Sequence, residues 1–249
     1  MRSRVSKPCA VLIYVLCASV NFLLSNYHMP LAFTAQQLQD FPELISGPRF
    51  ATFLAHTNGD RHKALEFYIW NVQLSAAFMV PLQLCEVAVR NGIVEAVEKV
   101  HGANWHNAAG FVRSLPYLNR PGYQPQDDLR VQAAKQPSAG KVVAELKFAF
   151  WQHLLTKGQD ARLWLPHFAV CFPGYDTALS IKQARASMYH ELERVRFFRN
   201  RIAHHEPIFT RNLVTDYERI RQLIEWRRPS VAVWMDANQT VQNLLQAQP

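Results

Sequence analysis

MYHELERVRFFRNRIAH, residues 188–204, is the stretch on which the fold reading turns. Met188, Leu192, Val195 and Ile202 recur at helical spacing, and steps of four, three, four and three bring Arg199 onto the same apolar stripe. That places a guanidinium on a core-facing side, where desolvation is costly unless a carboxylate or a phosphate meets it. Pro207 has no backbone N–H to donate, so the helix is expected to end or kink just past His204. The expectation is a fixed arginine and a titratable histidine at a helix end.

Working outward, helical stripes recur almost everywhere, and strand alternation never lasts beyond a few residues. Asp60 is placed to cap a helix carrying Ala64, Phe67, Tyr68, Val72 and Leu74. Pro81 is expected to kink or break it, with a second helix from about 82 to 100. Gly102, Pro116, Pro121-Gly122 and Pro125 mark an irregular stretch, and Asp127-Asp128 open a short helix to about Ala134. Ser138 caps the next, read through Leu155; a long helix spans about 176–203, and another about 211–227, stopping before Pro229. The tail from Asp236 reads as one more short helix. These elements predict an all-α bundle, with residues 30–249 forming a single domain.

The bulk numbers agree with a packed core. The chain has 249 residues, 49% of them hydrophobic, and a mean hydropathy of −0.13, which excludes a disordered chain. Formal charge is +8, and residues 182–228 hold eleven Lys/Arg against six Asp/Glu. Such a zone suits a polyanionic partner through phosphate contacts, although solvated helix faces give the same composition. Four cysteines, Cys9, Cys17, Cys85 and Cys171, show neither a disulfide framework nor metal-ligand spacing, so reduced thiols in a cytosol are the simplest account.

Residues 1–29 stand apart. Arg2, Arg4 and Lys7 precede an apolar run over residues 8–24. It reads as a secretory signal with a poor cleavage site at Cys17-Ala18-Ser19, as a short membrane anchor interrupted by Asn21, or as residues upstream of a true start at Met29.

Several motifs fail on inspection. His204-x-Glu206 has no Pro-Cys-x-x-Cys after it, no His-Glu-x-x-His exists, and Gly140-Lys141 lacks the upstream glycine and the Ser/Thr of a phosphate-binding loop. No carboxylate cluster suggests a two-metal nuclease.

Arg199, four residues, then His204, with Asn200 directly after the arginine, resembles the signature of HEPN-domain ribonucleases. The wider string from Phe198 to Phe209 resembles the Abi-like (abortive infection) family. So do Ala64–Asn71 with Leu74–Phe78, Leu84–Asn91, Gly140–Leu146 with Phe150-Trp151, and Tyr217–Trp226. These blocks cover about residues 48–235 in the family's order.

The resemblance implies an all-α HEPN fold and a metal-independent endoribonuclease that needs no cofactor. RNA carries its own nucleophile, the 2′-hydroxyl, beside the scissile phosphate. Histidine's ordinary pKa, about 6.5, suits a group that shuttles a proton to the leaving 5′-oxygen, and arginine's charged fork suits phosphate. The resemblance assigns these roles to His204 and Arg199, with a 2′,3′-cyclic phosphate as product and Asn200 as a polar organiser. It implies a homodimer in which two motif copies face one another, RNA as substrate, a cytoplasmic toxin or phage-defence effector, and a cognate antitoxin or infection-derived trigger.

Other residues carry lighter expectations. Glu86 and Arg90 share a helical face, as an ordinary ion pair or as a carboxylate that holds Arg199 while Arg90 and Asn91 meet phosphate. His205, Arg201 and Lys141 are further candidates for substrate contact. Against the catalytic reading stands a structural one, in which Arg199 pairs with an internal carboxylate and His204 caps the helix. A non-catalytic RNA- or nucleotide-binding module is the functional alternative, and a membrane-anchored sensor depends on residues 8–24.

Overall fold

The longest helix runs unbroken through the proline expected to interrupt it. In the computed structural model, which describes residues 32–117 and 122–249, Arg61–His101 is one α-helix with Pro81 inside. Pro81 is buried, and Leu82, Cys85 and Val89 continue the buried stripe beyond it. Packing on both sides therefore outweighs the one backbone hydrogen bond that proline forfeits. Asp60 caps this helix as expected, its carboxylate accepting from the Lys63 amide at 3.0 Å.

Among the described residues there are twelve α-helices and no strand. They are α1 (Ala35–Ile45), α2 (Gly47–His56), α3 (Arg61–His101), α4 (Ala109–Ser114), α5 (Pro125–Lys135) and α6 (Ala139–Glu145). Then come α7 (Phe148–Leu154), α8 (Leu165–Cys171), α9 (Ile181–Ala203), α10 (Leu213–Arg227), α11 (Pro229–Asn238) and α12 (Val241–Gln246). The protein is all-α, as the periodicity requires. Residues 1–29, with their signal, anchor or late-start readings, lie outside the described residues.

Where the sequence reads as one domain, the chain divides into two compact units. The first takes residues up to Gln73 together with Gln242 onward. Thr34 and Gln37 form a reciprocal capping box at the start of α1. Phe53, Phe67 and Trp70 build an aromatic core there, with Phe67 and Trp70 stacked at 5.1 Å. The Trp70 indole donates to the Leu244 carbonyl at 2.7 Å, tying the C-terminal residues to α3.

The second unit, Leu74–Val241, holds the candidate motif. Its core includes Phe78, Trp151, Trp164, Phe168, Leu192 and Phe198, all essentially inaccessible. The helix predicted from Ser138 through Leu155 is two helices, because Leu146 and Lys147 take extended backbone between α6 and α7. A π-helical turn at Asp160–Trp164 sets Asp160 against Arg185 of α9 through bonds of 2.9 and 3.1 Å. At Gly174 an added Cβ would lie 2.3 Å from the Glu225 carbonyl oxygen, so glycine alone lets the turn before α9 close on α10.

Candidate functional site

Helix α9 begins with a capping box between Ser180 and Gln183 and buries Ala184, Met188, Leu192, Val195, Phe198 and Ile202. The stripe therefore steps from Val195 to Phe198 to Ile202, and Arg199 is exposed. Both sets of steps fit a 3.6-residue period. Desolvation decides between them: the phenyl ring goes in and the guanidinium goes out. Phe198 is held edge-on by Phe78 of α3 at 4.8 Å, and the Arg211 guanidinium lies 5.3 Å from its ring centre. The expectation that Arg199 faces the core is thus corrected.

Arg199 makes one polar contact, donating from Nη1 to the Asn200 side-chain oxygen at 3.5 Å. Its neighbours differ. Of the arginines from 185 to 228, Arg196, Arg199 and Arg228 lack a carboxylate partner among the described residues; Arg196 is fixed by the Gln152 amide oxygen at 2.9 Å, and Arg228 donates to the Arg227 carbonyl at 2.9 Å. The internal carboxylate of the structural reading is therefore absent for Arg199 among the described residues.

Helix α9 ends at Ala203 with His204 as its C-cap, where the sequence placed its end. The His205 amide donates to the Ile202 carbonyl at 3.0 Å and the Glu206 amide to the Arg201 carbonyl at 2.9 Å, with His205 at φ 56°. This is a Schellman turn with histidine where glycine is usual. His204 is the C-cap residue, and His204, His205 and Glu206 are all exposed. Arg201 braces the turn, donating to the Pro207 carbonyl at 2.7 Å and lying 3.6 Å from the Glu206 carboxylate. Its Nε is buried without a partner, and the side chain is held within the turn.

Arg199 and His204 are five residues apart, which turns them about 140° from one another around the helix axis. One chain therefore presents the two groups on different sides of the same helix end. Phe197, on the same helix, is 53% exposed, with the Arg196 guanidinium 4.7 Å from its ring centre, a surface pairing the sequence reading did not single out.

The remaining candidates lie farther off. α3 meets α9 at Phe78, and Glu86 is eight residues along, about 12 Å at 1.5 Å per residue; Arg90 and Asn91 are about 18–20 Å along. Glu86 and Arg90 are half-buried, and neither a hydrogen bond nor an ion pair joins Glu86 to Arg90 or to Arg199 among the described residues. The Arg90 Nε is buried with no partner. Asn91 is exposed. Lys141 is exposed in the first turn of α6, its amide capped by Ser138 Oγ at 3.4 Å, and α6 packs on α5 and the turn at Trp105–Asn107. Glu86, Arg90, Asn91 and Lys141 are thus not gathered around Arg199 within one chain.

The acid that does organise this region is Asp216, which sequence reasoning missed. It is 3% exposed in α10 and accepts from Arg211 at 2.7 and 2.8 Å and from Arg219 at 3.0 Å. Arg219 continues to Glu191 of α9 at 3.0 Å. The Asp216 hydrogen bond raises the Arg211 pKa further, against the opposing effect of burial. The spacing Asp216–Arg219 is an i,i+3 pair visible in the sequence, but its burial is not.

Among the described residues no three His, Cys, Asp or Glu side chains gather as metal ligands would. Compared with family models, curated proteins and solved structures, the chain matches none.

Proposed function

We propose that this protein is a metal-independent endoribonuclease of the HEPN type, active as a pair of chains and serving as a cytoplasmic toxin or phage-defence effector. Arg199 of one copy neutralises the phosphate, His204 transfers the proton between the 2′- and 5′-oxygens, and Asn200 steadies the guanidinium. The observation that carries the reading is Arg199 itself, solvent-exposed in a cationic helix end and bound by no carboxylate. Arg185, Arg211 and Arg221, by contrast, are each paired with a carboxylate. The angle between Arg199 and His204 means that two helix ends must combine to surround one phosphodiester. A toxin of this kind requires a cognate antitoxin or an infection-derived trigger.

The second reading, a non-catalytic RNA- or nucleotide-binding module, is favoured by that same angle, since one chain alone offers cationic contacts without assembled chemistry. Incubating the purified protein with a defined RNA in EDTA separates the two. The nuclease gives fragments ending in 2′,3′-cyclic phosphate, and His204→Ala slows cleavage roughly 10²–10⁴-fold. RNA bound but intact under all conditions would leave only the binding module.

A further inference from the structure

A cleft of about 580 Å³ opens in the second unit, where α4, α5 and the turn at Trp105–Asn107 meet. Its size falls within the roughly 300–1,000 Å³ that small-molecule sites occupy. Local sequence explains the gap. Ala109, Val112 and Arg113 share one face of α4, and Arg130, Ala133 and Ala134 share one face of α5 in the same i, i+3, i+4 pattern. Three of these six are alanines, too short to fill the space between the two faces. Gln126, at the start of α5, donates to the Leu115 carbonyl just past the end of α4 at 2.9 Å. Arg113 and Arg130 therefore lie toward that end of the cleft, and Ala109 and Ala134 toward the other. His106 and Asn107, which precede α4, line the alanine end.

Both ends of the cleft hold polar groups without adequate partners. Arg113 has neither a hydrogen bond nor an ion pair among the described residues, and no carboxylate lines the cleft. Arg130 has only Asp127, 3.5 Å away, with both side chains more than half exposed, a pair that water screens. At the opposite end His106 is 7% exposed, its Nδ1 is buried without a partner, and neither ring nitrogen is hydrogen-bonded among the described residues. A buried imidazole left in that state is costly, and a group entering the cleft would relieve it.

We propose that this cleft binds a small phosphate monoester. The phosphoryl group sits between Arg113 and Arg130, the apolar body lies along Val112 and the alanines, and a hydrogen-bonding group at the far end meets His106 and Asn107. A monoester carries close to two negative charges near pH 7, which balances two guanidiniums, and each planar fork matches a pair of phosphate oxygens. Inorganic phosphate alone would leave the apolar wall and the imidazole unused. None of the lining residues belongs to the candidate motif, so the inference stands whether or not the chain cleaves RNA.

The test is calorimetric titration of the full chain carrying Arg199→Ala, so that the motif contributes no guanidinium of its own. The probe is 4-nitrophenyl phosphate, which has a phosphoryl group, a flat apolar body and acceptor oxygens at the far end. It should bind saturably with a Kd below about 1 mM, and inorganic phosphate and 4-nitrophenol each at least about tenfold more weakly. Arg113→Gln and Arg130→Gln, both at exposed positions, should each weaken binding roughly 10–100-fold, as loss of a charged hydrogen bond does. Ala134→Phe, also at an exposed position, should fill the cleft and abolish binding while circular dichroism stays helical. His106→Phe keeps the ring and removes both nitrogens, so it should bring 4-nitrophenyl phosphate down to the affinity of phenyl phosphate. If that variant unfolds, the two arginine variants and Ala134→Phe still decide. Three results overturn the proposal: no saturable binding of the probe up to about 5 mM, wild-type affinity in both arginine variants, or inorganic phosphate binding as tightly as the monoester.

Discussion

A single backbone angle at the motif has a measurable energy. His205 holds φ at 56°, a conformation that costs a side-chain-bearing residue about 1 kcal/mol relative to glycine. His205→Gly should therefore raise stability to urea by about that amount, with His204 and Arg199 undisturbed. A loss of stability would mean that the His205 side chain is held by its surroundings. A second residue ties stability to pH. His101 at the end of α3 packs on Phe111, and its Nε2 is buried without a partner. Burial and then the positive charge of Arg162 lower its pKa. The unfolded chain thus binds this proton at higher pH than the folded one. The stabilisation is complete above about pH 6.5, histidine's ordinary value, and is lost as pH falls through the lowered folded value. His101→Gln should flatten the acid side of the stability profile, and an unchanged profile would dismiss His101 as its source.

Among elements, α9 and α10 are joined by charge as well as by packing. Asp216 is buried beneath two guanidiniums, so Asp216→Asn leaves Arg211 and Arg219 without their shared anion. Removing one member of such a buried network costs about 3 kcal/mol, which denaturant titration would reveal as a shifted midpoint with an unchanged slope. A stability change of only a few tenths of a kcal/mol would show that solvent supports these arginines. This network also marks where the sequence stopped being legible. The caps at Asp60 and Ser138 were readable because a capping oxygen acts within three residues of itself. Phe198 and Arg199 were not distinguishable by periodicity, since both complete a helical stripe from Val195 to Ile202; the cheaper desolvation of the phenyl ring, met by Phe78, turns Phe198 inward. Pro81 misled for the same reason: a local rule predicts a kink or break, whereas distant packing keeps α3 continuous through it. Glu86 was drawn toward Arg199 by chemistry alone, with no knowledge of how far along α3 the two helices meet.

For the whole molecule, the proposed function makes charge meeting a polyanion the quantity to test. With eleven Lys/Arg against six Asp/Glu over residues 182–228, RNA binding should weaken steeply as salt rises, because each neutralised phosphate releases a condensed counterion. The contribution of one residue is separable. A guanidinium that meets phosphate adds about 0.7 to the slope of log affinity against log salt for a single strand. Arg199→Ala should lower that slope by about this amount for each chain engaged, whereas His204→Ala, which on the proposed function removes the proton carrier, should leave the slope alone and slow cleavage roughly 10²–10⁴-fold. The two substitutions thus report on different halves of the chemistry. Equal slopes for wild type and Arg199→Ala would remove Arg199 from the phosphate contact, whatever its effect on cleavage, and would return the helix end to a purely structural role.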